Sequence, residues 1–204
     1  MSGEKKYLPV LVVVVLCAAT AALFLLSPSQ DGEGPEVLFE TVPPDEVPEV
    51  VEAALTPPSD PHTPHPDLVG AVAGDVATVR SLEDNAPRYY LVLLTRNGSA
   101  VAIAWVYIRD DGRPKAGSWT EGVADLTAWW QPSLADAEDA LRDAGYRDGN
   151  WTARWVEMNS EQPIGPYFWE FRRETGEKVY VGYDRYDDLI RVYTAVTPKT
   201  KAGG

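Results

Sequence analysis

Residues 88–109 read RYYLVLLTRNGSAVAIAWVYIR and carry the strongest structural signal in the chain. Two runs rich in β-branched and aromatic side chains, Arg88–Arg96 and Ser99–Arg109, are separated by Asn97-Gly98. That dipeptide accepts the positive φ angles of a type I′ turn, which joins adjacent antiparallel strands. The stretch therefore predicts a β-hairpin, and a weaker alternating run at 75–82 predicts a strand before it.

A helix is predicted downstream of this hairpin. Ser133 is a favourable N-cap residue, Asp136 stands three residues later, and Gly145 accepts the left-handed conformation that ends a helix. One narrow apolar stripe runs along this helix and consists of Leu134, Ala137, Leu141 and Ala144. Its opposite face is expected to be solvated and carries Asp136, Asp139, Arg142 and Asp143.

Four strand-like runs follow the helix, at about 152–159, 167–173, 178–184 and 189–196. The sequence therefore predicts an α+β fold in which antiparallel β-meander sheets each pack with a short helix. We divide the folded part into a first β-rich unit, 67–125, and a helix-plus-meander unit, 126–204.

The stretch from Ser133 to Tyr193 resembles a PepSY domain. The resemblance rests on the helix ADAEDALRDAGY, the aromatic strand pair PYFWEFRRETGEKVYVGYD and the closing LIRVY. It implies a non-catalytic domain of exported, membrane-tethered proteins that inhibits peptidases or regulates their surroundings. The first half has a similar order of helix and strands, so it is either a diverged second copy, forming a tandem pair, or an unrelated unit.

The N-terminal region predicts a membrane anchor. Residues 7–26, YLPVLVVVVLCAATAALFLL, contain no charged side chain and are long enough to cross a bilayer as a helix. Lys5 and Lys6 precede this run, and the next charged residues are acidic. The positive-inside rule then leaves residues 1–6 in the cytoplasm and places the C-terminal domain outside the cell membrane. The alternative is a cleaved secretory signal, which removes the anchor but gives the same compartment.

Residues 27–66 predict an extended stalk. They hold ten of the 17 prolines and nine acidic residues but no basic one. The segment therefore has few side chains that can form a core, and its acidic side chains repel one another. Within them, VPEVVEAAL at 47–55 repeats apolar residues at helical spacing, and prolines follow it. We expect a short helix there, docked on the folded domain.

The composition excludes several classes of function. The 204 residues carry 31 acidic and 18 basic side chains, a net charge of -13, which disfavours nucleic-acid binding. Cys17 is the single cysteine, so no intramolecular disulfide forms. Both histidines, His62 and His65, fall in the proline-rich DPHTPHPD, where an extended chain does not converge metal ligands. The folded part therefore lacks the side chains of Ser-His-Asp and Cys-His catalysis, and we predict no metal and no cofactor.

Three groups of residues remain as candidate sites. Trp129 and Trp130 either present an aromatic platform to a partner or pack against the sheet. Asn97 and Asn150 fit the N-glycosylation pattern. The run YDRYDDL at 183–189 is interpreted as a solvated turn, because it lacks the spacing of a calcium loop.

Two functions follow from these features. The first is a single-pass, membrane-anchored, extracytoplasmic binding or regulatory domain without catalytic activity, whose partner is an envelope protein or a peptidase. The alternative is an envelope hydrolase of the glycosidase type that uses paired carboxylates, with Glu157, Glu170 and Glu174 as candidates. The hydrolase requires two acids facing each other across a cleft, with a raised pKa in at least one, whereas the binding domain predicts acids scattered on solvent-exposed faces and an exposed aromatic patch.

Overall fold

The computed structural model describes residues 34–56, 67–84, 86–127 and 130–199. The predicted cytoplasmic tip, the membrane anchor at 7–26 and the first part of the stalk lie outside these ranges. So do His62, His65 and Trp129. Among the described residues, no helix combines the length and the apolar character that crossing a bilayer requires.

The described chain forms a nine-stranded sheet with two helices packed against it. The strands are β1 Glu36–Phe39, β2 Val72–Ser81, β3 Pro87–Arg96, β4 Ser99–Ile108, β5 Pro114–Glu121, β6 Asn150–Glu157, β7 Tyr167–Arg172, β8 Lys178–Tyr183 and β9 Ile190–Tyr193. The helices are α1 Pro48–Leu55 and α2 Leu134–Asp143, and a 3₁₀ turn spans Pro44–Glu46. These elements confirm the predicted combination of antiparallel strands and short helices.

The sheet consists of two antiparallel meanders joined side by side. Its strand order is β5-β4-β3-β2-β6-β7-β8-β9, so the first strands of the two meanders are neighbours. β2 and β6 run parallel and pair over a short length, with Arg80 opposite Val156 and Ser81 opposite Glu157. Each meander is preceded in the chain by one helix, α1 before β2 and α2 before β6.

Strand β1 joins the two meanders where β2 and β6 diverge. It runs parallel to β6, with Glu36 opposite Asn150 and Phe39 opposite Ala153. Just beyond it, Val42 forms a bridge to Val76 of β2, and the Val42 N–H donates to the Val76 carbonyl at 2.7 Å. A segment near the start of the described chain therefore contacts the leading strands of both meanders.

The predicted β-hairpin is confirmed as β3 and β4. Asn97 and Gly98 adopt φ angles of 52° and 79°, as a type I′ turn requires. The flanking residues Arg96 and Ser99 are paired. Because asparagine and glycine tolerate positive φ at little cost, the local sequence favours this turn, and a register shift between Leu94 and Thr95 lies close to it.

Helix α1 covers one face of the first meander. Val50 and Ala54 are buried against alternate residues of three strands, Val76, Val92, Leu94, Ala102, Ala104 and Val106. The Trp119 indole N–H of β5 donates to the Ala54 carbonyl at 3.0 Å, which satisfies one of the carbonyls left open at the end of α1. The predicted helix near 47–55 is therefore present and docked.

Helix α2 packs on the opposite face of the sheet. Its buried residues are Leu134, Ala137 and Leu141. They belong to a cluster that includes Val79 of β2 and Trp155 of β6, which lie one residue before the paired Arg80 and Val156. Since side chains alternate between faces, this cluster and the α1 cluster lie on different sides of the sheet.

The start of α2 is held by a capping box. The Asp136 backbone N–H donates to the Ser133 hydroxyl at 3.2 Å, and the Ser133 backbone N–H donates to the Asp136 carboxylate at 3.3 Å. Gly145 follows the helix with φ 98° and completes the predicted termination. The predicted caps of this helix are therefore confirmed.

Replacing Ser133 with alanine is expected to lower the free energy of unfolding by about 1 kcal/mol, because the first turn of α2 loses the acceptor for an amide. Urea denaturation of the purified protein measures the change. Ser118→Ala in β5 is the matched control, since Ser118 is exposed and should change stability by less than about 0.5 kcal/mol. Equal effects of the two substitutions would contradict a capping role.

Two features differ from the sequence-based expectation. The predicted stalk at 27–66 is wrong for residues 34–46, which supply β1 and the 3₁₀ turn to the folded unit, next to the helix that was predicted near 47–55. The apolar residues Val37 and Phe39 of this segment are packed against strands far along the chain. Strand β5 was also not predicted, because Pro114 and Gly117 interrupt its alternation; β4 pairs with it nonetheless.

Candidate functional site

The three acids proposed for a hydrolase do not converge. Glu157 of β6 and Glu170 of β7 lie on opposite faces of the sheet. Glu157 is paired with Tyr167 of β7 and shares its face, and Glu170 is three residues after Tyr167, so its side chain points to the other face. Glu174 lies in the exposed turn after β7. A glycosidase needs its two carboxyl groups about 5–10 Å apart across a cleft. This arrangement offers no such pair among the three.

Glu170 is instead part of a buried ion-pair cluster. Its side chain is fully buried, and its Oε1 atom accepts a hydrogen bond from Arg154 Nε at 3.0 Å. The same oxygen forms ion pairs with Arg154 Nη2 and Arg172 Nε, each at 3.0 Å. Arg154 is 5% exposed, whereas the Arg172 side chain is 42% exposed. One carboxylate therefore compensates a guanidinium that is almost completely removed from water, which is a structural role.

This cluster affects Tyr180 on the neighbouring strand, which is paired with Glu170. Burial, followed by the negative charge of Glu170, raises the pKa of Tyr180 to about 12. Burial also raises the pKa of Tyr89 above its ordinary value. Both phenols hold their protons in the folded state at pH values where unfolded tyrosine ionises.

Stability is accordingly expected to fall as pH rises from about 10 through 12, because the unfolded state releases the Tyr180 proton first. Below pH 10 both states keep the proton and this contribution is constant. Urea midpoints measured at half-unit steps from pH 8 to 12 test this, with Tyr180→Phe as the comparison. The variant should lose less stability over that interval than the parent protein, and parallel curves would contradict the assignment.

Trp130, one of the two tryptophans of the proposed aromatic platform, belongs to a buried aromatic stack. Trp130 is 7% exposed. Its ring is stacked on Trp155 with centroids 4.6 Å apart and meets Trp105 edge-on at 5.4 Å. The platform interpretation is therefore wrong for Trp130, because its apolar surface packs between the two meanders. Trp129 is outside the described residues.

The two glycosylation candidates are both accessible. Asn97 is exposed in the β3–β4 turn, and Asn150 is exposed at the first position of β6. Thr152, the hydroxyl residue of the second pattern, is also exposed. Carbohydrate attachment at either residue stays a prediction.

The acidic turn before β9 is organised by internal contacts. Asp184 is buried, forms an ion pair with Arg191 Nε at 2.9 Å, and accepts a hydrogen bond from the Tyr186 backbone N–H at 2.9 Å. Arg191 also pairs with Asp187. Across the described ranges, no group of three or more His, Cys, Asp or Glu residues is arranged to hold a metal ion. The carboxylates of this turn are used to shape the loop.

An open groove lies between α2 and β9. It has a volume of about 640 Å³, and it is lined by the helix residues Asp136, Asp139, Ala140 and Asp143, by Ala144 after the helix, and by the strand residues Ile190, Arg191 and Val192. The three aspartates are exposed, whereas Ile190 and Val192 are half-buried against the core. The groove therefore has an apolar floor and an acidic wall, and its basic lining residue, Arg191, is already paired with Asp184 and Asp187.

The strand side of this groove is an unpaired sheet edge. Among the described residues, β9 pairs only with β8. The Asp184 N–H donates to the Leu189 carbonyl at 2.8 Å, so these two residues form a hydrogen-bonded pair directly next to the pair Tyr183 and Ile190. Because hydrogen-bonded pairs alternate along antiparallel strands, the backbone N–H and C=O groups of Ile190 and Val192 point away from β8. These groups are available to a further strand.

The sequence did not identify this groove. The aspartates of α2 were predicted to be solvated, and they are, but the expectation assigned them no ligand. Their spacing puts the three carboxylates in a row on one helix face. Only the strand order shows that this row lies beside the edge strand β9. Comparison of the chain with protein-family models, curated proteins and solved structures found no match.

Proposed function

We propose that this chain is a single-pass, membrane-anchored, extracytoplasmic domain that binds or regulates another protein and has no catalytic activity of its own. The observation that carries the proposal is the edge of β9 beside the groove of α2, which no strand of the described residues covers. Open edges are the sites at which sheets add a strand from a partner, and natural proteins usually block them.

The distribution of acids supports a binding role over a hydrolase. Glu157 and Glu170 are separated by the sheet, and Glu170 compensates buried Arg154. The sequence supports the location, since residues 7–26 are uncharged and lysines precede them. The resemblance of residues 133–193 to PepSY domains points to a peptidase or another envelope protein as the partner.

Cell fractionation tests the anchor. The full-length chain is expected in the membrane fraction, with its C-terminal domain accessible to protease added outside the cell. Val13→Arg combined with Val14→Arg is the control, because two arginines in the apolar run should prevent stable insertion. Recovery of the intact parent protein in the cytosol would contradict the proposal, and recovery of a chain shortened by its apolar run would favour the cleaved signal.

Crosslinking in intact cells tests the binding role. A photo-crosslinking amino acid at Ala144, which lines the groove, is expected to capture a discrete envelope protein. The same probe at Asp110, in the exposed β4–β5 turn, is the matched control. Equal capture from both positions would contradict a specific docking surface.

A further inference from the structure

We infer that the groove between α2 and β9 receives an extended segment of a partner protein in which basic residues alternate, as in Lys-x-Lys or Arg-x-Arg. The inference rests on the proposed binding function and specifies its partner. The segment adds to the sheet as a tenth strand, and its basic side chains face the aspartates of α2.

The backbone of β9 provides the first part of this recognition. The outward N–H and C=O groups of Ile190 and Val192 can each exchange hydrogen bonds with a segment lying alongside. Such bonds give affinity without specifying sequence. The half-buried side chains of Ile190 and Val192 provide an apolar surface for the inward-facing parts of that segment.

The helix provides the second part, which is charge. Asp139 and Asp143 lie one turn apart on α2, about 6 Å along the helix axis. Alternate residues of a strand are spaced by about 6.8 Å and point to the same side. Two basic side chains at positions i and i+2 of an added strand therefore match the separation of these two carboxylates.

The carboxylates are available for this role to different degrees. Asp143 has no side-chain partner among the described residues, whereas Asp139 pairs with Arg142 at 2.8 Å. That pair is solvent-exposed, since its side chains are 68% and 42% exposed, and exposed pairs contribute little energy. It can exchange for a basic group of the partner at little cost. Asp136 is engaged by the cap of the helix.

The flanking turn adds an apolar contact at one end of the groove. Leu189 directly precedes β9 and is 56% exposed, and Tyr186 in the same turn is 87% exposed. Leu189 adjoins the open edge in sequence, and Tyr186 is four residues before the start of β9. An apolar residue of the added segment, beyond its basic pair, would cover Leu189 and remove that surface from water.

Fluorescence anisotropy with synthetic peptides tests the inference on the full chain in detergent. The probe is a fluorescein-labelled acetyl-TKVKVKT-amide, and the permuted acetyl-TKKKVVT-amide has the same composition and charge. The alternating peptide should bind at least tenfold more tightly. The alternating peptide with methylated amides on one edge should lose this advantage, because it cannot complete the backbone ladder.

Charge variants distinguish recognition of the peptide by the groove from a nonspecific attraction of any basic peptide to the acidic chain. The double variant Asp139→Asn with Asp143→Asn should bind the alternating peptide at least fivefold more weakly than the parent protein does. Asp110→Asn with Glu174→Gln removes two exposed charges elsewhere and should change binding by less than twofold. Equal binding of the two peptides, or equal weakening by the two double variants, would overturn the inference.

Other occupants of the groove give different results. Removal of residues 200–204 should leave peptide affinity unchanged; a marked increase would mean that the chain's own terminus fills the groove. Concentration-dependent dimers that dissociate on adding the peptide would mean that a second copy occupies the edge. Either result overturns the inference. If crosslinking at Ala144 still captures an envelope protein while the peptide fails to bind, the inference is wrong and the proposed binding function stands.

Discussion

Replacing Glu170 with glutamine is expected to lower the free energy of unfolding by about 3–5 kcal/mol, the cost of leaving a buried charge uncompensated. The amide fits the same space, but Arg154, which is 5% exposed, then has no countercharge. Arg172 is less affected because its side chain reaches solvent. Since single domains are stable by only about 5–15 kcal/mol, the variant should be close to unfolding at ambient temperature.

Urea denaturation of the purified protein measures this loss, and Glu174→Gln is the matched control. Glu174 is an exposed carboxylate in the turn after the same strand, so its replacement should cost less than about 0.5 kcal/mol. Arg154→Met combined with Glu170→Leu removes both buried charges together and should recover most of the stability lost by Glu170→Gln. The explanation is wrong if the double variant is less stable than the single one.

Replacing Trp155 with alanine is expected to cost about 3–5 kcal/mol, the usual range for deleting a large buried aromatic side chain. Trp155 is 1% exposed and lies at the centre of the aromatic stack. Its ring is parallel to Trp130 at 4.6 Å and edge-on to Trp169 at 4.7 Å. The substitution removes both contacts and opens a cavity where the two meanders meet.

Two further variants, Trp155→Phe and Tyr186→Ala, serve as controls for this result. Phenylalanine keeps part of the ring contact and should cost clearly less than alanine. Tyr186 is 87% exposed, so Tyr186→Ala should change the free energy of unfolding by less than about 0.5 kcal/mol. Comparable losses for Trp155→Ala and Tyr186→Ala would show that the stack does not hold the sheet together.

Local chemistry made part of the fold predictable. Asn97-Gly98 determines a turn through its φ angles, and Ser133 and Gly145 mark the ends of α2 through caps that depend on neighbouring residues only. Each of these signals acts within a few residues. Such features can be inferred from one sequence because no distant partner is needed to form them.

The remaining features depend on partners far away in the chain. Strand β1 was assigned to a stalk, because its surroundings are acidic and proline-rich and its burial comes from β6. Helix α1 was predicted from its apolar spacing, but the sequence did not show that it packs on the first meander. Glu170 was a candidate acid, but the sequence did not reveal that Arg154 lies directly across from it. The groove was missed for the same reason, since an open edge is a property of strand order.

The pairing of β1 with β6 also determines when this protein can finish folding. Glu36 is opposite Asn150, so roughly 110 residues must leave the ribosome after β1 before its partner exists. Until then the β3–β4 hairpin can form, but the junction of β1 and β2 with β6 between the two meanders cannot. Nascent chains shorter than about 160 residues should therefore remain sensitive to protease and dependent on chaperones, and resistance should appear in one late step.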